Sequence, residues 1–351
     1  MCLFRYLLVV IALFPLIPDK KLHAQACPAC SNPALQSSEK LDAGLDTLRK
    51  GTWRLTLNMT NGFDYQGGHP NWKGLSEEGV VIDVPLHEHI VSLDFWRTEL
   101  AVEYNLATNW SVWLRVPYDI KDQTATVRFV EFATPEEQAA ILRNRDIHHR
   151  TETYIGFSDF RLFAARRIHH LLFPSSRLDL AWGVSLPVGA TEEDPLVAGG
   201  NGEEHLHIQF GTGTFDPLFE LHYTLALSRY LSFALFSMNR LSLYENAKGY
   251  RGPLETTSGA AIGIDATAWL TPRITVANFS QSWAYWNGVR DPNSGLVSWN
   301  ATLHLTFRLK NGLTLTPAYR YPIRQRTLSD EGDTFQYGPT VLLNVSYAPF
   351  R

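Results

Sequence analysis

The stretch from Leu296 to Leu309 alternates without interruption. Val297, Trp299, Ala301, Leu303, Leu305, Phe307 and Leu309 fall on one parity, and Ser298, Asn300, Thr302, His304, Thr306 and Arg308 on the other. A two-residue period is the signature of a strand whose side chains point to opposite faces, one seeking an apolar medium and the other water. The run exceeds the ordinary strand of a soluble sheet and matches the roughly 9 to 11 residues with which a tilted strand crosses a bilayer.

The same split recurs. In 110–121, Trp110, Val112, Leu114, Val116, Tyr118 and Ile120 oppose Ser111, Arg115, Asp119 and Lys121; in 177–189, Leu178, Leu180, Trp182, Val184, Leu186 and Val188 oppose Asp179, Gly183, Ser185 and Gly189. Strands are expected near 52–64, 90–106, 110–121, 156–168, 177–189, 211–227, 231–245, 256–270, 273–287, 296–309, 313–325 and 334–350. The predicted fold is all-β, an antiparallel transmembrane up-and-down barrel of about twelve strands. Short turns are expected at Ala107–Asn109, Ser228–Tyr230, Thr271–Pro272 and Lys310–Gly312, alternating with long links such as 122–155 and 190–210. Bacterial outer-membrane barrels keep short turns in the periplasm and long loops outside, which places both termini in the periplasm. Two strands alternate poorly. Near 90–106 the apolar parity switches from Val91, Leu93 and Phe95 to Leu100, Val102 and Tyr104, which predicts a bulge or a misplaced edge; in 273–287 neither face is clean. Within 122–155, Thr134-Pro135-Glu136-Glu137 reads as a helix start, in a loop long enough to fold over the barrel mouth.

At the N-terminus, Arg5 precedes an apolar run from Tyr6 to Ile17, and the small-residue stretch Ala24-Gln25-Ala26 ends just before Cys27. Residues 1–26 therefore read as a secretory signal peptide, with an apolar run too short for the roughly 20 residues of a membrane helix. Lipidation at Cys27 and ordinary cleavage both stay open. Residues 27–50 carry Pro28, Pro33 and several serines and are expected to form a periplasmic tail with one short helix near Leu41 to Leu48, and 51–351 the barrel. Aromatics at 12%, charged residues at only 19% and a mean hydropathy of -0.14 suit a barrel with an apolar lipid face, aromatic girdles and a polar lumen. They also suit a secreted soluble β-protein. A net charge of -4 gives no general attraction to nucleic acid.

Gly156-Phe157-Ser158-Asp159-Phe160-Arg161-Leu162, Leu186-Pro187-Val188-Gly189 and Gly211-Thr212-Gly213-Thr214-Phe215-Asp216-Pro217 resemble, in that order, stretches of the outer-membrane family known as transporters of the meta-pathway of phenol degradation. The resemblance implies successive strand and loop elements of a barrel and uptake of small hydrophobic or aromatic compounds. It covers the middle third of the chain. The C-terminus departs from the usual aromatic ending, because Arg351 follows Phe350.

Function in such a barrel lives on the inward parity. The strand faces place Arg54, Arg97, Glu99, Glu103, Arg115, Asp119, Lys121, Asp159, Arg161, Arg167, Asp179, Asp216, Glu220, His222, Asp265, His304, Arg308, Arg320 and Arg324 inside. Opposed charges create a transverse field that selects solutes in a narrow pore, or they plug the lumen with ion pairs. Metal-ligand candidates are Cys27 and Cys30 in the tail, whose C-x-x-C spacing suits a disulfide or a soft metal, and the pairs His87/His89, His148/His149 and His205/His207 in or near extracellular loops. His169-His170 falls in a turn at the opposite end. Neither His-x-Ser nor Gly-x-Ser-x-Gly occurs, and His87-Glu88-His89 lacks the H-E-x-x-H spacing of a zinc protease, so no enzyme is expected. The expected role is an outer-membrane channel passing small solutes by diffusion in contact with membrane lipid, with no resident cofactor except a possible metal ion. The alternative is a barrel anchor whose C-x-x-C tail handles a metal or docks an electron-transfer partner.

Overall fold

The computed structural model describes residues 50–205, 209–328 and 334–348. Cys27, Cys30, the helix expected at Leu41 to Leu48, His207 and Phe350 fall outside these. In chain order the elements are β1 (Trp53–Leu75), β2 (Val81–Ala107), β3 (Trp110–Phe129), helix α1 (Pro135–His148), β4 (Glu152–Phe157), β5 (Phe160–His169), β6 (Ser176–Leu186), helix α2 (Pro195–Gly200), β7 (Pro217–Ala226) and β8 (Leu231–Arg240). They continue with β9 (Tyr250–Arg251), β10 (Glu255–Ile264), β11 (Leu270–Gln281), β12 (Tyr285–Trp286), β13 (Val289–Arg290), β14 (Leu296–Arg308), β15 (Leu313–Thr327), β16 (Thr334–Gln336) and β17 (Thr340–Tyr347).

Twelve antiparallel strands close into a barrel, the predicted number. Two of the twelve are interrupted: β4 and β5 both pair with β3, and β16 and β17 both pair with β1. Closure runs through β1, where Leu55 lies opposite Val102 of β2 on one side and Tyr347 of β17 on the other. Outside the barrel, β9, β12 and β13 form a small sheet among the long loops.

Turns alternate in length as expected except between β1 and β2, whose pairing continues to a tight turn at 76–80, and both ends of the described barrel lie at the short-turn end: Gly51 N–H donates to Asn105 O, and Ala348 N–H to Gly312 O. One turn is displaced. Thr271 and Pro272 pair with Thr306 and Leu305 inside β11, and the reversal lies at 265–269. There the Thr267 hydroxyl accepts the N–H groups of Trp269 and Leu270, supplying locally the bonds a sheet ladder otherwise would.

The first three strands run past the expected ends and rise from the loop side as a spur. Along β2 no bulge occurs between His87 and Asn105, contrary to the parity switch expected there. Odd residues face inward throughout, and what changes is the chemistry of that single face. From the short-turn end upward it reads Glu103, Glu99 and Arg97, then Phe95, Leu93 and Val91, then His89 and His87, all buried. The outward face changes in step: Leu106, Tyr104, Val102, Leu100 and Trp96 are exposed and apolar, whereas Asp94 and Glu88 beyond them are charged. Trp96 to Leu106, at about 3.3 Å per residue and a strand tilt near 40°, spans about 25 Å, the height of a lipid-facing band. Exposed Ile120, Tyr118, Ile262, Ile274, Trp299 and Leu303 continue the band around the barrel. Such a continuous apolar belt opposes the soluble alternative.

Between Gly62 and Tyr65, β1 slips register against β2, with Asp64 in the left-handed region at φ 58. The extra residue flips the parity of everything beyond it. Tyr65, His69 and Asn71 turn inward as a result and are buried.

Helix α1 begins at the expected capping box: Thr134 Oγ1 accepts from Glu137 N–H, and Glu137 Oε2 from Thr134 N–H. It packs Ala140 and Ile141 against Val84 of β2. Gly74 of β1 permits this approach, since a Cβ there would press on Ala140.

Candidate functional site

Three layers stacked along the interior form the site. The lowest is charged. Arg97 donates to both oxygens of Asp119 at 2.6 and 2.7 Å, and Ser158 Oγ adds a third bond to Asp119. Arg115 forks onto Glu220 at 2.8 and 3.1 Å, joining β3 to β7 across intervening strands. Arg54 pairs with Glu103, Asp179 sits between Arg167 (2.7 Å) and Arg177 (2.8 Å), and Arg161 lies 4.0 Å from Glu99. His222 Nε2 is 3.5 Å from Glu220, His304 is bonded to Thr275, and Arg320 is buried. A narrow gap remains, bounded by Arg161, Glu220, Arg240 and Glu255.

Three of the expected lumen residues stand elsewhere. Asp265 and Arg308 pair with each other at the short-turn rim, partly exposed. Arg324 is exposed and outward: a register shift at Trp299/Asn300 sets it opposite Trp299, on the lipid-side parity, and gives the inward place to Gln325, which bonds Tyr337. Arg240 and Glu255, 3.1 Å apart, join the charged layer although the strand faces did not single them out. The inward parity of β8 also carries Phe236 and Met238, so its alternation gave no polar face to follow.

The middle layer is apolar. Tyr65, Leu93, Phe95, Phe210, Phe279, Leu296, Phe335 and Tyr337 belong to one buried cluster drawn from strands around the barrel and from the loops that carry Phe210 and Tyr337. Tyr65–Tyr337 and Phe335–Tyr337 meet edge to face at 5.4 and 4.9 Å. Phe210 arrives on the loop following α2, with Lys121 beneath it: its Nζ lies 4.3 Å from the ring centroid and donates to Gln209 O at 2.6 Å.

That loop is fixed at one carboxylate, where the three family-like stretches meet. Asp159, from the first, accepts N–H bonds from Gly189 of the second (3.0 Å) and Thr212 of the third (2.9 Å). Asp216 of the third accepts from Thr212, Thr214 and Ser242 hydroxyls. Gly211 must be glycine for this packing, since a Cβ would run into the Asp159 carboxylate.

The top layer is imidazole and lies above the apolar belt. His69 from β1, His89 from β2, and His148 and His149 from the end of α1 bring four ring nitrogens within 4.8 Å of one another, all buried. His87 flanks His89 at 5.1 Å between ring centroids, and His205 stacks on His148 at 5.5 Å. Burial pushes His69 down to about 4 and holds His89 and His148 well below the usual imidazole range, neighbouring imidazoles adding to the effect in each. The expected pairs His87/His89, His148/His149 and His205 thus come together, and His69 joins them. Its signal in the sequence is masked by the bulge at Asp64. His169 and His170 lie at the opposite end.

No protein-family model matches this chain, and no curated protein matches it. Among solved structures, an outer membrane channel from Pseudomonas putida F1 superposes with a TM-score of 0.54 at 9% identity, covering 86% of this chain and 96% of the other. A FadL homologue from Pseudomonas aeruginosa (TM-score 0.39, 9% identity, 86% and 91% covered) and the toluene transporter TbuX from Ralstonia pickettii (TM-score 0.37, 8% identity, 87% and 90% covered) are looser likenesses. The first of these likenesses, together with the closed sheet, gives this chain the fold of an outer-membrane β-barrel channel.

Proposed function

We propose that this protein is an outer-membrane channel passing small solutes by diffusion, hydrophobic or aromatic ones entering at the Tyr65–Tyr337 layer and passing the ring of opposed charges below it. The observation carrying this reading is the layered interior. A barrel that needed only to stand would be served at lower cost by an apolar filling, because each buried ion must be stripped of water and is only partly compensated by its partner. Roughly twelve strands also enclose more interior than the eight that side chains fill completely. Opposed charges across a narrow passage set a transverse field, and an apolar constriction above them gates by excluding water. The Pseudomonas putida protein of the same fold is named an outer membrane channel, in keeping with this reading. Short turns at one end and the helix-bearing loops at the other favour a periplasmic location for both termini.

Uptake into proteoliposomes tests the proposal. The purified barrel is expected to admit a small aromatic alcohol faster than protein-free vesicles do, and Tyr337→Ala to raise the rate further. Influx equal to that of empty vesicles for both proteins would refute it.

A further inference from the structure

The spur carries chemistry that the channel reading does not use. His69 Nδ1 lies 3.1 Å from Pro70 O, and His148 Nδ1 lies 3.1 Å from Asn144 O. A carbonyl only accepts, so in each ring Nδ1 is held by its proton to the backbone and Nε2 is the atom left to bind a ligand. Those two Nε2 atoms face each other at 3.5 Å. His149 Nε2 stands 3.1 Å from His69 Nε2, and His89 Nδ1 stands 3.3 Å from His148 Nε2. The ring atoms of His69 and His148 turned toward each other are those not engaged by a carbonyl, and the nitrogens of His149 and His89 close on the same buried point. The carbonyl bonds behind the rings are the outer support that fixes tautomer and orientation in metal-binding histidines. His87 Nε2 and His89 Nε2, also buried, make no hydrogen bond among the described residues.

From this geometry we infer that His69, His89, His148 and His149 form a binding site for a divalent transition-metal ion of the Zn2+ class. Four nitrogens about 2.0 to 2.1 Å from a tetrahedral ion lie about 3.3 to 3.4 Å apart; three of the six separations here, 3.1, 3.3 and 3.5 Å, bracket that edge, and all six lie within 4.8 Å, so a bound ion would draw the rings slightly together. An all-imidazole set excludes Ca2+ and Mg2+, which require oxygen ligands. The ligands come from three elements, β1, β2 and the end of α1, so a bound ion fastens the helix to the spur. Asn71 Nδ2 to Asn144 Oδ1 (3.2 Å) and Arg143 Nε to Leu75 O (2.8 Å) already hold it there by weaker bonds. The ion's place in the molecule is a clasp on the extension above the aromatic layer.

Titration of chelator-stripped full-length barrel with ZnCl2, and with CoCl2 for its tetrahedral absorption spectrum, tests the inference. One ion per chain is expected, with the intense visible bands of tetrahedral Co2+. Binding is expected to weaken at least 100-fold in His69→Ala/His148→Ala and to stay unchanged in His169→Ala/His170→Ala, which alters the exposed pair at the other end. Heat-dependent gel mobility reports whether each variant is folded. Should the double variant fail to fold, His149→Gln alone serves, with at least 10-fold weaker binding expected. Amide exchange in Pro135–His148 is expected to slow when zinc is added. Absence of stoichiometric uptake, octahedral Co2+ spectra, or equal affinity in the spur variants would overturn the assignment and leave the channel proposal untouched.

Discussion

The Arg115–Glu220 pair offers the sharpest test of the charged layer, because each partner can be removed separately and the two removals leave opposite charges behind. Both side chains are 5% exposed, and their forked bond links strands that are not neighbours in the sheet. Arg115→Ala leaves Glu220 facing the passage without its forked partner, with His222 beside it and Arg161 and Arg240 bounding the same gap; Glu220→Ala leaves Arg115. A permeating ion passing about 4 Å from the uncovered charge gains or loses about 1 kcal/mol at water-like screening and about 4 kcal/mol at an effective dielectric near 20. Even the lower figure changes relative permeability about fivefold, because about 1.4 kcal/mol corresponds to a factor of ten. Arg115→Ala is therefore expected to favour cations about fivefold over the native protein, and Glu220→Ala to favour anions by a similar factor. Removing one partner of a buried pair also costs about 3 to 5 kcal/mol of stability, and the double variant is expected to cost less than the sum of the singles. Reversal potentials across a KCl gradient in planar bilayers read the selectivity, and urea unfolding in lipid vesicles reads the stability. Equal reversal potentials in the two single variants would refute the idea that this pair lines the ion path.

Other expectations concern the loops. Asp291 is buried in the 282–295 loop, and burial raises its carboxyl to about 6. The folded form binds more protons than the unfolded form between about 3.8 and 6, so loop stability falls as pH rises through that window, by about 3 kcal/mol in all. Asp291→Asn is expected to remove that slope and to stabilise the loop at pH 8, as measured by amide exchange; an unchanged slope would count against it. Asp159→Ala strips the Gly189 and Thr212 N–H groups of their acceptor and is expected to cost about 2 to 4 kcal/mol locally, seen as faster proteolysis within 187–216. Gly211→Ala is expected to release the same loop by collision with that carboxylate, and a protease-resistant Gly211→Ala would contradict the packing described.

Much of this was readable from the chain, and the remainder failed for identifiable reasons. The alternation in Leu296–Arg308 marked a strand with one polar and one apolar face, and the Thr134/Glu137 capping box marked the start of α1. Both signals are local. Alternation misled wherever the inward face was itself apolar. On β2 it looked like a change of face at Phe95–Arg97, when one face was passing from the aromatic layer to the charged one. On β8 the inward Phe236 and Met238 concealed Arg240. Register shifts are nonlocal, since the extra residue is defined only against a partner strand; those at Gly62/Tyr65 and Trp299/Asn300 brought His69 inside and sent Arg324 out. The three family-like stretches were visible as separate motifs, but their convergence on Asp159 needed the folded chain.

Single-channel recording of the purified native barrel in planar lipid bilayers bears most directly on the proposed role. Discrete current steps are expected, small because the opposed charges and the Tyr65–Tyr337 layer narrow the passage, and larger in Tyr337→Ala, which opens the apolar constriction. A folded barrel that gives no steps in either form, across several salts, would contradict a conducting interior and identify the ion-paired lumen as a permanent plug.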